Sequence, residues 1–257
     1  MVTGGAHGLG RVMVEALVGA NATVLIFDVN GPLMSDVCTA IGGDVHGYEG
    51  DVTNESDVEE TVAACIDRFG HLDVVVNNAG MTLRTIPEQG EGETRFFDFT
   101  PDTFRQFLEA HVIGTFQVAR TAVGQMIDQG WGRIISVTTS LDSMTRAGQV
   151  PYGPAKAAME SLTSVIAHDL DGTGVTANVL VPGGSVNTHG RASRPLGERP
   201  FIPAQVMGPP VVWLASKASD GVTARRFSAN RWDPAIPLAQ SVSDAGAPIA
   251  WPSDRNS

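Results

Sequence analysis

The sequence predicts an α/β fold, a doubly wound parallel sheet with helices on both faces in a single domain, and three observations lead there. Apolar runs of strand length alternate with helical stretches along most of the chain, an order that gives parallel strands joined by helical crossovers. A glycine-rich turn, Thr3 to Gly10, links the first strand to the first helix, as in the Rossmann-type version of such sheets. The 257 residues also suit one core, which commonly serves up to roughly 250 to 300 residues before a chain divides.

The elements follow in order. A helix over 9–18 leads into the apolar strand 23–28, then a helix over 32–41 and a short strand over 45–49. Asn54 is placed to cap a helix running to Phe69, followed by a strand over 73–77. Residues 80–100 are polar and aperiodic and read as a loop, and Thr100-Pro101 opens a long helix ending near Gly130. A strand at 133–137, a helix over 150–170, a strand at 175–181 and a helix over 204–215 complete the alternation. A short strand is expected from Arg225, before a Pro/Ala/Ser-rich tail that is partly irregular. The division is a catalytic domain over 1–230, with a substrate loop at about 185–203, and a C-terminal extension over 231–257. Only Met1, Val2 and Thr3 precede Gly4, against the ~5 residues usual for a strand. Either the centre of the sheet is short or the true N-terminus lies upstream.

Composition narrows the partners. The formal charge of -11 repels phosphate backbones, and the basic residues are scattered rather than clustered, which speaks against nucleic acid and anionic membranes. No apolar run reaches the ~18 to 20 residues of a membrane span. Cys38 and Cys65 fall in expected helices, which suits reduced thiols better than a disulfide or a metal site. A cytoplasmic location is expected.

The turn Gly4, His7, Gly8, Leu9 and Gly10 lets a pyrophosphate approach the backbone and the helix N-terminus. Asp28 ends the second strand about 20 residues later, where a carboxylate accepts from a ribose hydroxyl and repels a 2′-phosphate. That favours NAD over NADP.

The chain has two Tyr and two Lys, and one of each forms Tyr152-Gly-Pro-Ala-Lys156. Four residues apart on a helix, the two side chains share a face. An ammonium beside a phenol favours the phenolate, so Tyr152 is a candidate general acid/base. A hydroxyl partner is expected from the end of the preceding strand, Thr138-Thr139-Ser140.

The ordered set Thr3-Gly4-xxx-Gly8-x-Gly10, Asp51, Asn77-Asn78-Ala79-Gly80, Tyr152-xxx-Lys156 and Asn178-xxx-Pro182-Gly183 resembles the motifs of one-domain short-chain dehydrogenases/reductases, over about 2–215. The resemblance implies a hydride exchange between NAD and a secondary alcohol or carbonyl. Tyr152 would be the acid/base, with Lys156 lowering its pKa and holding the nicotinamide ribose. Asp51 and Val52 would contact the adenine, and Asn78, Ala79 and Gly80 would line the cofactor cleft. Pro182, Gly183 and Thr188 would flank the nicotinamide amide. The resemblance also implies a homodimer or homotetramer.

Three positions depart from the pattern. Counting without gaps along the strand from Gly132 puts Thr139 where the family has its serine, one residue before Ser140, and either hydroxyl suits the chemistry. His111 stands where an Asn usually holds a relay water; a His there either organises water and titrates near neutral pH, or is a satisfied core His with a weakened or rerouted relay. The segment 225–234 replaces the usual final turn. Two other readings stand beside the NAD enzyme: an NADP-dependent reductase of 3-oxoacyl type, and a dinucleotide-binding protein with little turnover. Substrate choice is expected to rest on 81–99, 141–149 and 185–203, where Arg191, Arg194 and Arg199 are read as a solvated lid rather than an anion site.

Overall fold

A computed structural model describes residues 1–86, 94–186 and 201–250. The first half runs β1 (Val2–Thr3), α1 (Gly8–Gly19), β2 (Val24–Asp28), α2 (Gly31–Ile41), β3 (Val45–Glu49), α3 (Glu55–Phe69) and β4 (Val74–Asn77). The second half begins with α4 (Pro101–Leu108), a π-helical turn (Glu109–Ile113) and α5 (Gly114–Asp128), then β5 (Gly132–Val137) and α6 (Leu141–Thr145). It continues with α7 (Tyr152–Asp169), β6 (Val175–Val181), α8 (Gly208–Leu214), β7 (Arg225–Ser228), α9 (Leu238–Ala245) and β8 (Gly246–Pro248).

Among the described residues the sheet has the order β3-β2-β1-β4-β5-β6-β7-β8. All neighbours are parallel except β7 and β8. The expected doubly wound α/β sheet is thus what forms. The strand order reverses between β1 and β4, which opens a crevice at their carboxyl ends. Each strand sends alternate residues to opposite faces. Val24, Ile26, Val76 and Ile135 pack with Met13, Val14 and Val211 of α1 and α8. Leu25, Phe27, Val75 and Ile134 pack with Val62, Val118 and Ala122 of α3 and α5. Local chemistry sets the helix starts: the side chains of Asn30, Asn54 and Thr100 accept from backbone N–H groups in the first turns of α2, α3 and α4.

The structure differs from the sequence reading in four places. The helix expected from 101 to 130 contains the π-helical turn that places His111. Ser140 caps a short helix, α6, that was not anticipated. The helix expected over 204–215 starts as a 3₁₀ turn, Ala204–Met207, before α8. The tail, read as partly irregular, holds α9 and β8, because β8 pairs antiparallel along the outer edge of β7 and Ile249 and Ala250 bury against Val179 and Val181. Such pairing is long-range and leaves no local period. The centre of the sheet, β1, pairs with β2 and β4 on both sides. Thr188, Arg191, Arg194 and Arg199 lie outside the described residues.

Candidate active site

The glycine turn is fixed from the neighbouring strand. The Thr3 hydroxyl accepts from the backbone N–H groups of Asn78 (3.0 Å) and Ala79 (2.9 Å). The Asn78 amide donates to the carbonyls of Thr3 and Gly4, both at 3.0 Å. Asn78 therefore holds the turn in place, and its amide nitrogen is committed to the chain. A Cβ on Gly10 would fall 2.0 Å from the Gly4 carbonyl oxygen, and Gly4 has φ +62°, so both positions require glycine. α1 opens at Gly8 in the same turn, with first-turn N–H groups that have no earlier helical carbonyl to bond.

At the mouth of this crevice lies a cleft of about 830 Å³ lined by Gly4, His7, Asp28, Asp51, Val52, Ala79 and Gly80, among others. Asp28 is buried. Its carboxylate accepts from the Ala6 N–H and the Asn30 N–H, each at 3.0 Å. That fixes the carboxylate at the cleft edge with lone pairs to spare. Asp51 likewise accepts from the Thr53 N–H at 2.8 Å. The backbone cradle and the fixed carboxylate fit a dinucleotide.

The lining also includes residues the sequence reading missed. Val29 and Thr53 adjoin Asp28 and Asp51. Asp102, Arg105, Gln106, Glu109 and Ala110 come from α4 and the π-helical turn, and their spacing of three and four residues was the available signal. The lining carries four carboxylates, Asp28, Asp51, Asp102 and Glu109, against one guanidinium, Arg105, which pairs with Asp102.

Tyr152, Lys156, Pro182 and Gly183 are not among the residues lining this cleft. They sit further along the sheet, at the start of α7 and the end of β6. α7 grips the end of β5 with three side chains spaced four residues apart. Tyr152 is hydrogen-bonded to the Thr139 side chain. The Lys156 ammonium donates to the Val137 carbonyl at 2.8 Å, and Glu160 accepts from the Thr138 hydroxyl at 2.8 Å. Lys156 Nζ lies 6.0 Å from the Tyr152 ring centroid. Ser140 is turned away: its hydroxyl accepts from the Ser143 N–H at 3.1 Å and caps α6.

Burial dominates the electrostatics here. It raises the Tyr152 pKa above the ordinary phenol value, against the lowering effect of the Thr139 hydrogen bond. It lowers Lys156 to about 7.

His111 links this cluster to the cleft. Its ring covers Gly80, where a Cβ would fall 2.0 Å from Cε1. Its Nε2 meets the backbone N–H (3.2 Å) or carbonyl (2.9 Å) of Met81, according to tautomer. On its other side the ring meets Tyr152 edge-on, with centroids 5.8 Å apart. Titration near neutral pH, expected from the sequence, is corrected. Burial first and the Lys156 charge second push the imidazole well below 6.5, so it stays neutral. Pro182 and Gly183 form a turn at the end of β6, where the Asn230 N–H donates to the Pro182 carbonyl at 3.0 Å.

A dinucleotide crevice that leads to a phenol with a hydroxyl and an ammonium for neighbours suits proton transfer at an oxygen beside a nicotinamide. The protein is an oxidoreductase acting on CH–OH groups. The chain belongs to the short-chain dehydrogenase family, whose model matches residues 1–198, and that membership implies NAD(P) binding.

It is similar to a fluoren-9-ol dehydrogenase of Terrabacter, 31% identical over 91% of this chain and 71% of that protein. It also resembles a 2,5-dichloro-2,5-cyclohexadiene-1,4-diol dehydrogenase of Sphingobium indicum, 29% identical over 90% of this chain and 94% of that one. A 3-oxoacyl-(acyl-carrier-protein) reductase of Aquifex aeolicus is 27% identical over 71% and 72%. Among the described residues no helix is long and apolar enough to cross a membrane.

Proposed function

We propose that the protein is an NAD-dependent dehydrogenase that interconverts an apolar, cyclic secondary alcohol and its ketone. The observation that carries the reaction is the Tyr152 phenol, hydrogen-bonded by Thr139 on the helix that bears Lys156. The nicotinamide, when bound, supplies or accepts the hydride.

Tyr152 moves the proton at the substrate oxygen. Burial keeps the phenol protonated near neutral pH, ready to donate as a ketone is reduced and to be regenerated as an alcohol is oxidised. The Thr139 hydroxyl, not that of Ser140, steadies the oxygen as its charge changes. The Lys156 ammonium, held by the Val137 carbonyl, favours the phenolate and is placed to meet the nicotinamide ribose. Neutral His111 acts by position, buttressing Gly80 and Met81 against the Tyr152 ring.

Two features support the finer choices. The fixed Asp28 carboxylate and the acidic lining of the cleft favour NAD, since a 2′-phosphate would meet like charge. Met81, Leu83, Ile86, Phe99 and Phe107 form an apolar cluster with Tyr152. Two of the relatives are named for cyclic alcohols.

The test is steady-state turnover of cyclic secondary alcohols with each coenzyme, read by reduced-nicotinamide absorbance. Turnover is expected with kcat/KM for NAD above that for NADP by on the order of tenfold or more. Tyr152→Phe is expected to lose at least about a hundredfold in kcat while still binding NADH. Full activity in that variant, or a preference for NADP, contradicts the reading.

A further inference from the structure

Glu160 is fully buried on α7, two turns beyond Tyr152. Its Oε2 accepts from the Thr138 hydroxyl and from the Arg226 guanidinium, and its Oε1 accepts from the Ala250 N–H at 3.0 Å. Arg226, on β7 and also buried, donates its second NH group to the Thr139 carbonyl. One guanidinium thus ties the carboxylate of the catalytic helix to the backbone of the residue whose side chain meets the phenol.

We propose that Arg226, paired with Glu160, is a positioning residue that fixes the Thr138–Thr139 backbone so that the Thr139 hydroxyl meets Tyr152. This rests on the dehydrogenase reading above. Stability alone is a poor reason for such a pair, because well-packed apolar residues often serve as well in a buried site. Geometry is the better reason. A planar fork holds two acceptors at fixed angles, and an ammonium on a flexible stem does not. Ala250 closes the remaining carboxylate oxygen, so the chain just beyond β8 also seals the device.

The pair reaches the reaction through Thr139, which makes a coupled kinetic test decisive. Arg226→Lys keeps the charge opposite Glu160 and gives up the second bond. Its kcat is expected to fall about tenfold, with the NADH dissociation constant, read by fluorescence, unchanged. Placed on Thr139→Ala, the same substitution is expected to cost less than about twofold more, because both changes remove one interaction.

A wild-type kcat in Arg226→Lys overturns the proposal. So do losses that multiply in the double variant, as two independent structural defects would, or a kcat loss matched by weaker NADH binding. Should Arg226→Lys fail to fold, Arg226→Gln with Glu160→Gln removes both charges together and is read by the same coupling to Thr139→Ala. The wild type alone separates the two levels: no turnover sinks the dehydrogenase reading and this inference with it, whereas normal wild-type turnover with uncoupled variants sinks only this inference.

Discussion

Thr139 and Tyr152 meet through their side-chain oxygens, while Ser140, the very next hydroxyl, faces the backbone of Ser143. The split follows from the start of α6: an N-cap needs its side chain aimed at the helix amides, so Ser140 is committed there. Thr139→Ala should therefore lower kcat by about a hundredfold. Ser140→Ala should leave kcat within about threefold and lower stability by about 1 kcal/mol. Kinetics and thermal denaturation of the two variants check this, and a reversed order would reassign the hydroxyl.

On the proposed reading, Asp28 selects the coenzyme by charge. Asp28→Asn keeps a carbonyl oxygen to accept from the Ala6 or the Asn30 N–H and removes the repulsion of a 2′-phosphate. The NAD-to-NADP ratio of kcat/KM should fall by on the order of tenfold, with a stability loss of about 1 kcal/mol. An unchanged ratio would move coenzyme choice elsewhere in the cleft.

Lys156 gives the cofactor-free protein a specific stability profile. Its folded pKa is lowered to about 7 by burial, below the ordinary 10.5. Below pH 7 both states are protonated and the full cost of burying the ammonium is present. Between about 7 and 10.5 the unfolded chain binds the extra proton, so this contribution to stability rises with pH by a few kcal/mol. Denaturant unfolding across that range should show wild type gaining on Lys156→Met as pH rises. A constant gap would mean that the lysine titrates alike in both states.

Gly10 is a steric requirement of the crevice. Gly10→Ala would drive a methyl into the Gly4 carbonyl, which is backbone that cannot rotate away. A loss of about 1 to 3 kcal/mol of stability is expected, and the rise in melting temperature expected of the wild type on adding NAD should be lost. Retention of that rise would show that the turn tolerates a side chain.

Much of this site was legible because its signals are local. The glycine turn, Asp28 at a strand end, and Tyr152 with Lys156 one helical turn apart each depend on spacing along one element, and spacing survives in sequence. Glu160 repeats the interval once more and could have been read the same way. Its partner Arg226 could not, since it arrives from a strand 66 residues away with nothing in its neighbourhood to mark it. The same limit explains β8, which pairs along the edge of β7.

The sequence by itself determined the alternating order of strands and helices, the cofactor turn and the phenol–ammonium pair, because helix and strand periods fix which residues share a face. Tertiary structure decided which of two adjacent hydroxyls meets Tyr152, kept His111 neutral, and joined Glu160 to Arg226. Those outcomes depend on burial and on contacts between distant elements, and both come into being only when the sheet closes around them.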